Sequence, residues 1–176
     1  MSLPTWLPEL VLNEDSGKEW RVYEEALYKV FKKDFVNGQP KLEGKGVWHR
    51  KDPMTNNKPL TFWHIITKDK DKTSMGEDER CPEFRRCERI GWIRPIIEHI
   101  GKTPDVILWK EAGNKGKKLT NTCILFSSEE ETYLVVLRES TRYFILWTAY
   151  PITESHQKRK ILKRYEEYQK MKTATF

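Results

Sequence analysis

The sequence predicts an α+β protein: N-terminal helices packed on an antiparallel sheet, a meander of about four strands, followed by a C-terminal helix. Three observations carry this. Apolar residues recur at helical spacing between 17 and 36. From Val106 to Tyr150 short runs rich in Val, Ile, Tyr, Phe and Trp alternate with turn residues. A basic stretch with apolar residues at helical spacing then follows Pro151.

Taken in order, residues 1–16 hold Pro4 and Pro8 and close on Asn13, Glu14, Asp15 and Ser16, the composition of an extended arm leading to a helix cap. From about Gly17 to Val36, Trp20, Tyr23, Leu27, Val30, Phe31 and Phe35 form an apolar stripe, and charged residues fill the other positions. Asn37, Gly38 and Pro40 end this helix. Val47 to Lys51 reads as a short strand, Asp52 to Pro59 as a turn-rich loop, and the apolar run Leu60 to Lys68 as a second strand. Asp69 to Arg80, D-K-D-K-T-S-M-G-E-D-E-R, has no apolar period and reads as a mobile loop.

Pro82 suits the first turn of a helix continuing as E-F-R-R-C-E-R-I-G-W-I-R-P-I-I-E-H-I, which Pro95 kinks or splits. Arg86 falls in line with Ile93 and Arg89 with Ile96, so two arginines border the apolar face. Their stems can cover the core edge while their heads pair with carboxylates, or the heads can point into a pocket. Strands are expected at Val106 to Lys110 and Leu119 to Phe126, joined by a glycine-containing turn from Glu111 to Lys118. A hairpin follows, its strands meeting at Glu139, Ser140 and Thr141. A period of two places Arg142, Phe144, Leu146, Thr148 and Tyr150 on one face and Tyr143, Ile145, Trp147 and Ala149 on the other. After Pro151, Thr153 or Ser155 can cap a helix carrying Ile161, Leu162, Tyr165 and Tyr168.

The length of 176 residues, without a repeat or a linker, fits a single domain over 1–176, with 1–16 as the arm and 17–176 as the globular part. With 38% hydrophobic and 12% aromatic residues the chain lies outside the disordered class. The net charge of +6 suits a polyanionic partner and equally a solvated basic surface. Three cysteines without C-x-x-C spacing suggest neither a disulfide framework nor a zinc ribbon, so a reducing compartment is expected. No basic segment followed by an apolar core opens the chain, and no run approaches the ~20 apolar residues of a membrane span. A cytoplasmic protein that meets no membrane is the resulting expectation.

Nucleotide-binding glycine loops, zinc-protease and esterase motifs and EF-hand spacing are all missing. Asp69 with Asp71, or Glu77 to Glu79, could hold Mg²⁺, but they lie in the most loop-like stretch, and neither a metal nor a cofactor is expected. Among four histidines, His99 and His156 read as structural or surface residues, and His49 is held neutral by Arg50 and Lys51. His64 lies within an apolar strand just before Lys68 and Lys70, as an imidazole near an anionic site would and as a satisfied core histidine also would. A histidine, arginines flanking a helix, and a Thr and a Tyr at a strand end make the kit for metal-independent RNA cleavage. One group takes the 2′-OH proton, another protonates the leaving oxygen, and arginines stabilise the charge growing on the phosphate.

The histidine in an early strand, the R-x-x-R helix and the late hairpin ending L-W-T-A-Y-P before a basic helix together resemble phage-associated members of the barnase/EndoU/colicin/RelE-like nuclease superfamily, over roughly Val47 to Tyr168. That resemblance implies a metal-independent ribonuclease, often a toxin or a phage and mobile-element effector, with RNA as partner and room for an inhibitor or immunity protein. By position it implies His64 as general acid or base, Arg86 and Arg89 as phosphate ligands, and Thr148 and Tyr150 as groups orienting substrate. Lys68, Lys70, Arg85, Arg138, Arg142, Lys158 and Arg159 are the further expected nucleic-acid contacts. The chain departs from barnase-type enzymes in offering no clear glutamate base on a central strand, Glu139 being a poor substitute. Two other readings stay open. One is a nucleic-acid-binding module without catalysis, gripping phosphates through the basic last helix. The other is a protein-interaction domain of phage or genomic-island origin.

Overall fold

The computed structural model describes residues 2–69, 80–113 and 119–174. Lys70, Asp71, Glu77 and Glu79, and residues 114–118 of the expected turn, lie outside them. The architecture is α+β with a C-terminal helix, built on a six-stranded mixed sheet.

The apolar stripe forms α1, Trp20–Phe31, which buries Tyr23, Leu27 and Phe31, and a π-helical turn over Lys32–Val36 carries Phe35 into the same core. The expected arm is docked. Tyr23 donates its hydroxyl proton to the Val11 carbonyl at 2.7 Å, Trp92 Nε1 donates to the Pro8 carbonyl at 3.0 Å, and Trp6 stacks on His99 with ring centroids 4.1 Å apart.

Leu60 to Lys68, expected as a strand, is instead helix α2, Leu60–Ile66, followed by a short strand β3, Thr67–Asp69. Buried residues at 60, 61, 62, 65 and 66 with half-buried Trp63 and His64 between them follow a helical period. A seven-residue apolar run carries no period strong enough to separate a buried helix from a strand, and here tertiary burial decides. β3 pairs with β4, Arg80–Pro82. The helix after Pro82 breaks earlier than expected, into α3, Phe84–Glu88, a 3₁₀ turn at Ile90–Trp92, and α4, Ile93–Glu98. Pro95 sits in the first turn of α4, where a missing N–H removes no intrahelical bond.

The expected meander is present as β5, Val106–Ala112, β6, Thr120–Ser127, β7, Thr132–Glu139, and β8, Phe144–Pro151. The sheet has two further strands, β1, Lys41–Leu42, and β2, Lys45–His49, in the order β1-β2-β8-β7-β6-β5. β2 runs parallel to β8, so the sheet is mixed rather than antiparallel throughout. Its two edges approach one another. Lys110 of β5 reaches Glu43, in the β1–β2 turn, at 3.0 Å, and Glu139 of β7 at 3.0 Å.

One face of the sheet packs on the main core of α1, α2, α3, α4 and the arm. The other carries a smaller cluster, Trp109, Cys123, Leu125, Leu134 and Ile152, covered by Ile161 of α5, Ser155–Ala174. No helix among the described residues is long and apolar enough to cross a membrane.

Candidate nucleic-acid interface

A β-bulge decides which side chains of β8 face which way. Val136 pairs with Thr148 and Leu137 with Leu146, so Trp147 is an extra residue in β8. An extra residue reverses the alternation beyond it. Phe144, Leu146 and Ala149 therefore face the main core, while Tyr150 packs with the α5 cluster, and Thr148, opposite Val136, shares its face. This corrects the expected grouping of Thr148 and Tyr150 with Phe144 and Leu146.

Trp147, two residues beyond Ile145 on the same face, meets two arginines and a histidine from three segments. The guanidinium carbon of Arg138 lies 3.2 Å from its ring centroid and that of Arg50 lies 5.1 Å away; the His64 ring meets it edge-on at 6.1 Å. Burial lowers the Arg138 pKa, and the neighbouring Arg50 charge lowers it further. Among the described residues, neither arginine has a carboxylate partner.

His64 reaches this position because α2 continues along β8 where β2 stops. The Arg50 N–H donates to Thr61 Oγ1 at 2.7 Å, and that hydroxyl in turn donates to the Leu146 carbonyl at 3.5 Å. Arg86 follows on the same border. Its Nη1 donates to the carbonyls of Thr67 at 2.9 Å and His64 at 3.4 Å, and its guanidinium carbon lies 5.0 Å from the Tyr150 ring centroid. Burial lowers the Arg86 pKa and raises that of the Tyr150 hydroxyl, with Arg164 and Arg86 opposing the latter shift. His64 and Arg86 thus line one border of β8, with Tyr150 against Arg86, while Thr148 stands on the face of Val136.

Beside His64 opens a cleft of about 430 Å³, whose wall includes Trp20, Glu24, Trp63 and Arg80. Arg80 is fixed by Thr67 Oγ1 at 2.8 Å, the Thr67 carbonyl at 2.9 Å and Asp69 at 2.8 Å. Glu24 is paired with the buried Lys58 at 3.0 Å. Asp69, one of the suggested Mg²⁺ ligands, is thus occupied by Arg80. Among the described residues, no group of three or more His, Cys, Asp or Glu is placed to hold a metal ion.

Arg89 is held elsewhere, between Glu131 at 2.6 Å and Glu88 at 3.0 Å. Lys68, Arg85, Arg142 and Arg159 are exposed and Lys158 is half-buried, spread over β3, α3, the β7–β8 turn and α5 rather than gathered at one point. Glu139 is engaged by Lys110 and Lys45, which hold its carboxyl below the usual range against the effect of burial. His99 Nδ1 donates to the Pro95 carbonyl at 2.7 Å, and exposed His156 lies 3.1 Å from Glu154.

Sequence reasoning missed Arg50, Trp147, Glu24 and Arg80. Arg50 carried one usable signal, since alternation in V-W-H-R places it on the face of Trp48, away from buried Val47. The bulge at Trp147 and the entry of α1 into the cleft depend on contacts distant in sequence and left no local trace. No protein-family model, curated protein or solved structure matches the chain.

Proposed function

We propose that the protein is a metal-independent ribonuclease that engages RNA along the β8 border and uses His64 in proton transfer. One observation carries the reading: His64 lies at once on the Trp147 ring and in the wall of the cleft, while its backbone carbonyl holds Arg86. In this scheme the ribose 2′-oxygen attacks the adjacent phosphorus, the bond to the 5′-oxygen breaks, and a 2′,3′-cyclic phosphate is left. His64 acts as acid or base near neutral pH. Arg86 commits only Nη1 to backbone carbonyls among the described residues, so its remaining N–H groups are available to the phosphate oxygens. Thr148 and Tyr150 supply hydroxyls that orient the strand. Glu24, in the wall of the same cleft, is the candidate second proton-transfer group, a role for which it must leave its pair with Lys58.

A non-catalytic RNA-binding role is the second reading, favoured by the arginine pair on Trp147. In the toxin or mobile-element setting that the resemblance implies, an inhibitor protein covers this border.

The test is incubation of wild type and His64→Ala with total RNA in excess EDTA, followed by end-group analysis. Cleavage by wild type alone, leaving cyclic phosphate ends, supports the ribonuclease. Intact RNA in both samples, with salt-dependent binding retained, moves the reading to the non-catalytic role.

A further inference from the structure

We infer that Arg50, Arg138 and Trp147 form a preassembled clamp for one phosphodiester of a single-stranded RNA, beside the segment that meets His64. The inference rests on the RNA reading above and adds a site to it. Two guanidinium groups share one indole, and neither has a carboxylate partner among the described residues. Holding two like charges together costs free energy unless an anion arrives between them, so the pair favours the anion-bound state.

The geometry suits an oxyanion. A guanidinium stacked on a ring is held in its plane while the N–H groups at its edge remain free, and those edges match phosphate oxygens in a bidentate way. Three features hold the arrangement. Trp147 shares the face of Ile145, Arg50 is anchored through its backbone N–H on Thr61, and Arg138 stands on β7 opposite Ile145. Trp48 gives the clamp a neighbour. It lies on β2 paired with Ile145, two residues before Arg50, and is 54% exposed, an indole on which a base next to the gripped phosphate can stack. A phosphate gripped by side chains with a base stacked beside it is how single strands are bound without sequence readout.

The test uses the full chain and a fluorescein-labelled 12-nucleotide RNA carrying 2′-O-methyl groups, which cannot undergo attack by the 2′-oxygen. Anisotropy is followed across KCl concentrations for wild type, Arg50→Gln, Arg138→Gln, the double variant and Lys102→Gln as an exposed control. Each clamp substitution is expected to weaken binding about tenfold and to reduce the log–log salt slope by about 0.7, the loss of one phosphate contact. Because both arginines grip one phosphate, the double variant loses the same slope once, not twice. Arg138→Lys, which keeps the charge and loses the fork, retains the slope with reduced affinity and guards against a folding defect, which circular dichroism also checks. Wild-type binding that neither substitution changes overturns the clamp and leaves the RNA reading standing. If wild type binds no RNA, calorimetric titration with pyrophosphate decides. Binding that Arg50→Gln abolishes keeps the anion clamp without the RNA reading, and no binding removes both.

Discussion

Arg89 Nη2 donates to Glu131 Oε1 across 2.6 Å, tying the end of α3 to the β6–β7 turn. The same side chain donates to Glu88 at 3.0 Å and the Arg85 carbonyl at 3.1 Å, and it lies over the Trp92 ring at 5.3 Å. It is 5% exposed. Burial works against its charge, and the carboxylates of Glu131 and Glu88 more than restore it. Removing one partner of a buried pair costs roughly 3–5 kcal/mol, and here the carboxylates keep some contact with water. Arg89→Ala is therefore expected to lower unfolding free energy by about 2–3 kcal/mol in urea titrations. RNA affinity per folded molecule should not change. A large drop in affinity at full stability would return Arg89 to the proposed RNA border.

His49 predicts a pH dependence. Its ring is half-buried, edge-on to Phe31 at 5.4 Å, and burial pushes its pKa below the ordinary value, with Lys51 adding to the effect and a contact with the Phe35 backbone opposing it. The unfolded histidine takes up a proton near pH 6.5, while the folded one stays neutral to lower pH. In that window the unfolded state binds more protons, so stability falls as pH drops, by up to about 1.4 kcal/mol per pH unit. Urea midpoints of wild type and His49→Gln between pH 5 and 8 measure this. The wild-type midpoint should fall more steeply below about pH 6.5. Asp34, whose carboxyl burial pushes up, titrates alike in both proteins and cancels.

The strands from Val106 to Pro151 were legible because hairpins are local: alternation, β-branched and aromatic residues and turn residues sit within one stretch of sequence. Three features were not. The parallel pairing of Val47, Trp48 and His49 with Phe144, Ile145 and Leu146 joins residues about a hundred positions apart and has no local signature. Leu60 to Ile66 satisfies helix and strand patterns alike, and only the packing of Phe62, Ile65 and Ile66 on the core selects the helix. A single extra residue at Trp147 reverses the faces of Thr148 and Tyr150, so both were read onto the wrong side. His64 was expected on a strand and lies on helix α2. It reaches Trp147 from a helix that takes over the edge of β8.

The cysteines differ in reactivity for a physical reason. Cys87 and Cys123 are buried, and burial pushes both thiols up to about 12. Cys87 also donates to the Ile66 carbonyl at 3.4 Å. Cys81 on β4 is half-buried. Since the thiolate is the reactive species, native protein treated with iodoacetamide at pH 8 should take one adduct, on Cys81, and denatured protein three. Rapid modification of Cys87 in native protein would mean that α3 opens from the core.

Tyr133 offers the sharpest test of the packing behind the β8 border. It is fully buried, its ring lies 5.9 Å from that of Trp92, and its hydroxyl has no hydrogen-bond partner among the described residues. Burial raises its pKa, and the charges of Arg86 and Arg89 oppose that shift. A buried hydroxyl left unsatisfied costs about 1–3 kcal/mol, and Phe fills the same space without it. Tyr133→Phe is therefore expected to stabilise the fold by about 1 kcal/mol, raising Tm by about 2–4 °C. Tyr150→Phe is the contrast. Its half-buried ring lies beneath Arg86, so the substitution should leave Tm nearly unchanged and reduce RNA cleavage, because it removes a hydroxyl from the proposed substrate border. Loss of stability in Tyr133→Phe would reveal a partner for that hydroxyl. Full cleavage by Tyr150→Phe would remove the phenol from the substrate-orienting groups.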